Sequence, residues 1–280
     1  MKIISYSTAL CSTWIYVEDY KVLFDAGDGV SAGLNKKSSK IKNVFISHAD
    51  RDHLCGLLQF NQLNTINKLP NIYYPKDCGS FPALNEFMKI FDRHIDTPEW
   101  IGIDTSTKIY IASKIFVKAH LNDHRFEVGK IKSVGYTIIE EKTKLKSCYA
   151  GISGNQIREL KENNVEITEN VEEKIFGYSG DSRNFEPELW QGVQYLVHES
   201  TFLSSSDSTR NNHTNIEEVL YKARDLNLKG LVLSHFSSRF DETTILSKAK
   251  QLCKTNNINF PVYVILPGET NRDVLSNSIN

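Results

Sequence analysis

The sequence predicts an α/β protein in which two mixed β-sheets pack face to face with helices on their outer sides. Three observations predict this fold. Apolar segments of strand length occur in two clusters along the chain, both clusters alternate with segments of helical spacing, and polar side chains gather where apolar segments end. With 280 residues, 40% of them hydrophobic, the chain is long enough for one large core, so we expect one domain over 1–280.

The first half of the chain begins with strands and then alternates between helix and strand. Alternating or continuous apolar residues predict strands at 2–6, 13–17, 21–25, Val44–Ser47 and Ile72–Tyr74. Apolar residues at helical spacing predict helices over Asp52–Leu63 and Phe81–Phe91. These elements account for one sheet and the helices that cover it.

The second half repeats this organisation. Strands are predicted at Ile109–Ile111, Ile115–Ala119, Tyr136–Glu140, Ile175–Ser179, Tyr195–Glu199, Leu231–Ser234 and Val262–Leu266. Helices are predicted over Gly154–Glu162 and Ile216–Asp225. The second group of strands supplies the second sheet of the predicted fold.

A dense polar motif, Ser47–His53, follows directly after the apolar residues of one predicted strand. It contains two imidazoles and two carboxylates within six residues, those of His48, Asp50, Asp52 and His53. Such groups are costly to bury unless they are compensated, usually by a metal ion and less often by surface salt bridges. The motif therefore predicts a metal site at the end of this strand.

Four more polar segments also follow or end apolar runs. They are Ala119–His124 with Val134–Tyr136 behind it, Tyr178–Ser182, Leu196–Thr201 and Leu231–Phe240. Together with Ser47–His53, these ordered motifs resemble those of the metallo-β-lactamase superfamily, and within it the ribonuclease Z-like branch. The resemblance covers nearly the whole chain, from Leu23–Gly29 to Phe260–Val264. It implies the αββα sandwich of the metallo-β-lactamase fold and a metal-dependent hydrolase.

The resemblance also implies two divalent metal ions, Zn²⁺ or Mn²⁺, and a set of residues that bind them. The implied ligands are His48, Asp50 and His124 for one ion, Asp52, His53 and His235 for the other, and Asp181 as the bridge between them. In this arrangement a hydroxide held between the two ions attacks a phosphodiester, and Asp52 lies beside it as a general base. His124, not His120, aligns with the ligand position, although the gap from His124 to Gly135 is longer than usual.

The chain departs from the family pattern at Asp50. The family commonly has His-x-His-x-Asp-His, whereas here an aspartate stands in place of the second histidine. Either Asp50 is itself a ligand, which favours a harder metal such as Mn²⁺, or its shorter side chain leaves the first metal weakly held, or the cluster is a degenerate relic.

Other residues carry the branch-specific chemistry that the resemblance implies. Glu199, at the end of a predicted strand, would orient His213, which would contact a phosphate oxygen or protonate the leaving group. The alternative is that Glu199 caps the following segment and that His213 only begins a helix. Ser237 and Arg239, just after His235, resemble a phosphate-binding segment, and a structural salt bridge is the alternative for Arg239.

Composition limits the partners of the protein. The net charge of −1 gives no global basic field for nucleic acid. The five cysteines are scattered without a Cys-x-x-Cys pair, no apolar stretch has the length of a membrane span, and the first residues lack a secretory core. We therefore expect a cytoplasmic protein with no membrane partner. The resemblance allows a homodimer.

The substrate class is the least determined feature. In tRNA-processing ribonucleases Z a long flexible arm grips the tRNA, but here the corresponding segment, Lys142–Gly177, is short and lacks a Gly-Pro-rich stalk. We therefore favour a phosphodiesterase acting on a small or flexible phosphodiester, such as a cyclic nucleotide, an oligonucleotide or a nucleic-acid end. The alternative is a ribonuclease Z-type endoribonuclease that processes tRNA 3′ ends, or another RNA or DNA nuclease. A third alternative is an inactive binding or sensor protein.

Overall fold

The computed structural model describes residues 1–64, 69–96, 98–207 and 212–280, and it confirms the predicted sandwich. A six-stranded sheet and a seven-stranded sheet pack against each other. Both sheets are mixed, because each begins with antiparallel pairs and continues with parallel ones. Helices cover the outer faces, as the apolar spacing of the sequence predicts.

The first sheet has its strands in chain order. They are β1 (Ile3–Thr8), β2 (Ser12–Val17), β3 (Val22–Phe24), β4 (Asn43–Phe45), β5 (Asn71–Pro75) and β6 (Trp100–Ile103). The helices of this half are α1 (Val30–Leu34), α2 (Arg51–Leu54), α3 (Leu57–Asn64) and α4 (Ser80–Phe91). Apolar side chains of α1, α3 and α4 bury the outer face of the sheet in a cluster that includes Trp14, Phe60 and Phe81.

The second sheet runs from β7 at one edge to β13 at the other. Its strands are β7 (Ile109–Ala112), β8 (Ile115–Leu121), β9 (Val134–Leu145), β10 (Thr168–Tyr178), β11 (Tyr195–Glu199), β12 (Gly230–Ser234) and β13 (Val262–Val264). The helices are α5 (Gly154–Glu162), α6 (Pro187–Trp190), α7 (Ile216–Ala223) and α8 (Glu242–Thr255). The last three pack on the outer face of this sheet.

The core between the sheets is dominated by aromatic rings. Phe24 and Phe45 of the first sheet contact Tyr136 of the second, with ring centroids 5.7 and 5.3 Å apart. Phe24 also stacks on Phe176 at 5.5 Å. All four side chains are buried, and this packing fixes the spacing of the two sheets beside the strand ends that carry the polar motifs.

The predicted helix over Asp52–Leu63 is wrong in one respect, because the structure has two helices there. The break lies at Gly56, whose N–H donates to the carbonyl of Ala26 at 2.9 Å. A Cβ at Gly56 would lie 2.2 Å from the carbonyl oxygen of Gly27. The loop after β3 therefore packs directly against the backbone between α2 and α3, and periodicity alone gives no sign of this contact.

Strands β9 and β10 are much longer than the sequence pattern predicts. They pair with each other from Tyr136–Tyr178 to Leu145–Thr168. Their outer neighbours, β8 beside β9 and β11 beside β10, do not extend as far. Residues 141–145 and 168–173 therefore form a two-stranded ribbon outside the sheet. The loop at its tip contains α5, which a Ser153–Gln156 capping box begins.

Among the residues that the structure describes, no helix is both long enough and apolar enough to cross a bilayer.

We predict that Gly56→Ala lowers the free energy of unfolding by about 1–3 kcal/mol, the usual cost of forcing an extra carbon into a packed site. Urea denaturation measures this change. Gly154→Ala is the matched control, because a Cβ there meets nothing within 4 Å. Alanine in the first turn of α5 should be neutral or stabilise by up to about 1 kcal/mol. Equal unfolding curves for Gly56→Ala and the unaltered protein would contradict the close packing.

Candidate metal centre

The polar motifs meet at one edge of the sandwich because parallel strands bring their carboxyl ends together. Strand β4 leads into Ser47–His53, β10 into Ser179–Ser182, β11 into Ser200–Thr201 and β12 into His235. Strand β8, antiparallel to β9, runs in the same direction as β10 and leads to His124 at this edge. The edge collects residues from both sheets.

The buried carboxylate of Asp25, just after β3, organises the start of this edge. Its Oδ1 accepts the N–H of Ser47 at 2.7 Å, and its Oδ2 accepts the Ser47 hydroxyl at 2.8 Å. Oδ2 also accepts from His53 Nδ1 at 2.7 Å and from the Tyr178 hydroxyl at 2.5 Å. Asp25 has a positive φ of 55°, a conformation that aspartate tolerates better than most residues.

Four histidines of the edge have their Nδ1 atom engaged by a hydrogen bond. His53 donates to Asp25 and His48 to the Ser47 hydroxyl at 2.9 Å, since that hydroxyl already gives its proton to Asp25. His124 donates to the carbonyl of Asn212 at 3.0 Å, and His235 donates to the Thr201 hydroxyl at 2.9 Å. With the proton on Nδ1, the lone pair of each ring lies on Nε2 whenever the ring is neutral, as it must be to bind a metal ion.

These lone pairs face carboxylate oxygens instead of donors. Asp181 Oδ2 lies 3.6 Å from His48 Nε2 and 3.4 Å from His53 Nε2, and Asp181 Oδ1 lies 3.5 Å from His235 Nε2. The Nε2 atoms of these three histidines are buried and have no hydrogen-bond partner within the described ranges. Burial alone would raise the pKa of Asp181, but the surrounding imidazoles, first His235 and His53, hold it well below its usual value.

The two carboxylates of Ser47–His53, those of Asp52 and Asp50, lie beside different pairs of histidines. Asp52 Oδ2 lies 3.6 Å from His53 Nε2 and 3.5 Å from His235 Nε2. Asp50 Oδ2 lies 3.4 Å from His124 Nε2 and 3.7 Å from His48 Nε2. The potential ligand atoms within each group all lie within 4.8 Å of one another, and Asp181 is adjacent to both groups. The structure thus brings together all seven ligands that the sequence predicts.

Lone pairs and carboxylates turned toward one another repel unless a proton or a metal ion lies between them. Neutral imidazole nitrogens oriented by Nδ1 hydrogen bonds, together with carboxylate oxygens, are the donors that divalent transition metals prefer. The residues present therefore fit a divalent metal centre.

Asp50 has a partner that the sequence pattern did not reveal. Arg125 Nη2 donates to Asp50 Oδ1 at 2.8 Å and to Oδ2 at 2.5 Å. Partial burial would raise the pKa of Asp50, but hydrogen bonds from His124, His48 and Arg125 lower it well below the usual value. Arg125 follows His124 directly, so this signal is visible in the sequence only once His124 is known to lie beside Asp50.

The predicted Glu199–His213 pair is present next to the metal-ligand candidates. Glu199 Oε1 accepts from His213 Nδ1 at 3.1 Å, and its Oε2 accepts the Thr201 hydroxyl at 2.6 Å. Burial would lower the pKa of His213, but the Glu199 carboxylate outweighs it and raises the pKa to about 9. Glu199 therefore supports both His213 and, through Thr201, the imidazole of His235.

A cavity of about 250 Å³ opens onto this centre. It is lined by Asp52, Asp181, His213 and the predicted phosphate-binding residues Ser237 and Arg239. The Arg239 guanidinium lies 4.9 Å from the ring centroid of Phe202 and donates one hydrogen bond to the carbonyl of Asp207. Asp207 contributes its backbone here and not its carboxylate, so Arg239 makes no ion pair among the described residues.

Three further histidines lie away from the ligand cluster. His120, on β8, is hydrogen-bonded to the Thr137 hydroxyl at 2.8 Å, and burial lowers the pKa of His120 to about 4. His198 is buried against Phe185, and His94 is exposed after α4.

Asp123 has a role that the sequence pattern did not indicate. Its carboxylate accepts from the N–H of Arg183 and from the Asn184 side chain, both at 2.6 Å. This residue therefore ties the segment of His124 to the segment of Asp181.

Comparison with known proteins gives relatives over most of the chain. No family model matches. The tRNase Z TRZ1 of Arabidopsis thaliana is 31% identical over 212 residues, which cover 70% of this chain and 73% of that protein. The ribonuclease Z of Nitrosopumilus maritimus is 26% identical over 262 residues, covering 82% of this chain and 85% of that protein.

Solved structures support the fold. The metallo-β-lactamase fold protein YhfI from Bacillus subtilis superposes with a TM-score of 0.64 at 15% identity, over 96% of this chain and 98% of that one. The short form of human tRNase Z, ELAC1, gives a TM-score of 0.61 at 19% identity, over 85% of this chain and 93% of that one.

The fold and the sequence relatives together define a metal-dependent hydrolase of the metallo-β-lactamase superfamily. The sequence identity to the Arabidopsis enzyme, over most of both chains, identifies the branch of this superfamily. The chain belongs to the ribonuclease Z-like branch of that superfamily.

We predict that Asp25→Asn lowers the free energy of unfolding by about 2–4 kcal/mol, because it removes the charge from a buried network of four hydrogen bonds. Urea denaturation in the presence of a chelator measures the loss without a contribution from bound metal. Asp28→Asn is the control, since Asp28 is exposed in the same loop and should change stability by less than about 0.5 kcal/mol. Equal losses in both variants would show that Asp25 has no special role.

Proposed function

We propose that this chain is a ribonuclease Z-type endoribonuclease that cleaves tRNA precursors at the 3′ side, with two divalent metal ions. The observation that carries the proposal is the set of buried, unpartnered Nε2 atoms around Asp181, next to the Glu199–His213 pair. The names of its relatives, tRNase Z and ribonuclease Z, support this substrate better than the small phosphodiester favoured by the sequence analysis.

The two groups of side chains suggest how the ions would be held. In this proposal His48, Asp50 and His124 hold the first ion, and Asp52, His53 and His235 hold the second. Asp181 would bridge them, because its Oδ2 is within 3.6 Å of a histidine from each group. Divalent ions held by these residues would lower the pKa of a water molecule and neutralise charge on a phosphoryl oxygen.

Asp52 is the residue of this chain proposed to act on the attacking water. Burial would raise its pKa, but His235 and His53 lower it to about 2, so the carboxylate is ionised at neutral pH. The backbone N–H of Leu10 donates to its Oδ2 at 3.0 Å and fixes its orientation. An ionised, oriented carboxylate on the cavity wall can accept a hydrogen bond from water and align it with the phosphorus atom.

His213 is proposed to act on the leaving oxygen. Its Nδ1 is taken by Glu199, so its Nε2 is free to donate to the substrate. A protonated imidazole held by a carboxylate can stabilise charge on a phosphoryl oxygen and then give its proton to the departing alkoxide. Arg239 and Ser237, on the same cavity wall, are proposed to contact neighbouring phosphate oxygens.

A second candidate remains the hydrolysis of a small phosphodiester. The cavity volume of about 250 Å³ suits a nucleotide-sized group. The ribbon beyond the second sheet gives no clear basic surface to a folded RNA, because its Lys142 and Lys144 are both paired with Glu173.

The decisive experiment compares three substrates with purified protein and either Mn²⁺ or Zn²⁺. They are a tRNA precursor with a 3′ trailer, an unstructured RNA of equal length, and bis-(p-nitrophenyl) phosphate. We expect one cut after the acceptor stem of the tRNA and a kcat/KM at least tenfold higher than for the unstructured RNA. Asp181→Ala, prepared in parallel, controls for contaminating nucleases.

The other outcomes contradict the proposal in distinct ways. Equal cleavage of both RNAs at many positions would indicate a general nuclease. Hydrolysis of the small ester without RNA cleavage would favour the second candidate. No hydrolysis of any substrate by a protein that binds metal would indicate a binding or sensor protein.

We predict that His213→Ala lowers kcat for a nucleoside phosphodiester by about 10² to 10⁴, the range for a positioned acid–base group, while metal content stays constant. The loss should be smaller for bis-(p-nitrophenyl) phosphate, because p-nitrophenolate leaves without protonation. Adding Glu199→Gln to His213→Ala should cost little more at constant metal content, because a glutamine oxygen can still accept from Thr201 and the role of Glu199 toward His213 is already lost.

Exposed His94 provides the control for this comparison, and His94→Ala should leave both rates unchanged. Equal losses on the two substrates would exclude His213 as the general acid and leave it an electrostatic role. Loss of metal from His213→Ala would mean that the imidazole is a ligand instead.

A further inference from the structure

Asp50 differs from the other two carboxylates of the centre in its surroundings. Asp181 and Asp52 have side chains that are 4% and 11% exposed, and the side chains around them are imidazoles. The Asp50 side chain is 30% exposed and, alone of the three among the described residues, bonds a permanently charged group. That group is the Arg125 guanidinium, whose Nη2 contacts both carboxylate oxygens.

Asp50 contacts two kinds of partner, the candidate ligand histidines and a guanidinium. His48 and His124 approach Oδ2 through their Nε2 atoms, at 3.7 and 3.4 Å. Arg125 contacts both oxygens, and its own side chain is 54% exposed. An aspartate on a partly exposed loop has freedom to rotate toward water, and the guanidinium contact opposes that rotation.

We propose that Arg125 is a positioning residue for the first metal site: it holds the Asp50 carboxylate toward His48 and His124 and cancels its charge, so that the Asp50–Arg125 pair acts as one neutral ligand. A histidine at position 50 would be neutral by itself and would need no such partner. The inference rests on the proposed function only in treating the cluster as a metal site.

Two effects of Arg125 on a bound cation oppose each other. Orientation of a ligating carboxylate by a hydrogen-bond partner typically raises metal affinity about 10- to 100-fold. Repulsion between the guanidinium and the cation lowers the affinity, but Arg125 is more than half exposed, and water screens that repulsion. We therefore expect orientation to dominate and the loss of Arg125 to weaken the first site.

The test is a metal titration that needs no substrate. Full-length protein is stripped with a chelator, and bound Zn²⁺ per chain is measured by equilibrium dialysis and elemental analysis over a range of free Zn²⁺. Arg125→Ala should weaken one of two binding steps about 10- to 100-fold. The other step should not move, and it reports that the variant is folded.

The same titration in the Asp50→His variant separates a positioning role of Arg125 from a general effect of its charge. In Asp50→His, removal of Arg125 should shift the same step by less than about threefold, because an imidazole does not depend on the guanidinium. Arg125→Lys keeps the charge but loses the planar donor group, so it should fall between the unaltered protein and Arg125→Ala. Arg51→Ala removes an equal charge from the residue beside Asp50 and should change neither step, since Arg51 is exposed.

Several results would overturn the inference. They are an unchanged or tighter first step in Arg125→Ala, an equal shift in the Asp50→His background, or an equal effect of Arg51→Ala. If the shift occurs but no RNA is cleaved, the positioning role stands and the proposed substrate fails. If the unaltered protein binds no metal, both proposals fail together.

Discussion

The buried charge of Asp25 is the constraint on which the rest of the centre depends. Its four hydrogen bonds join the end of β3, the motif after β4 and Tyr178 on the other sheet. A carboxylate without these donors would be too costly to bury, and without the carboxylate the donors would be unsatisfied. The same bonds set the tautomers of His48 and His53. Asp25 therefore both stabilises the junction of the two sheets and orients two Nε2 lone pairs.

The elements that the sequence predicts well are those whose buried residues follow one clear period. The helices α4 and α7 fall within this class. Helix α8 was not predicted, because it buries only the narrow stripe Ile245, Ala249 and Cys253 among lysines and threonines. The extension of β9 and β10 was not predicted either, since its outer residues face water on both sides and need no alternation.

The seven candidate ligands could be named because the motifs at the strand ends resemble those of the ribonuclease Z-like branch. Their partners could not. Arg125 and Asp123 act through contacts across 75 and 60 residues of chain, respectively, and nothing in their local sequence indicates them. The substrate cannot be predicted from the motif residues, because it depends on the surfaces around the cavity. The names of relatives are therefore a better guide to the substrate than the motif residues are.

The contact between His235 and the first strand has a consequence for how this protein is made. The N–H of His235 donates to the Ser7 hydroxyl at 2.9 Å, across 228 residues of chain. Contacts between residues so far apart in the chain generally form slowly, so we expect the edge where the sheets meet to be completed late in folding. A cation that needs donors from both halves would bind only the finished molecule, and its supply in the cell would thereby select for correctly folded chains.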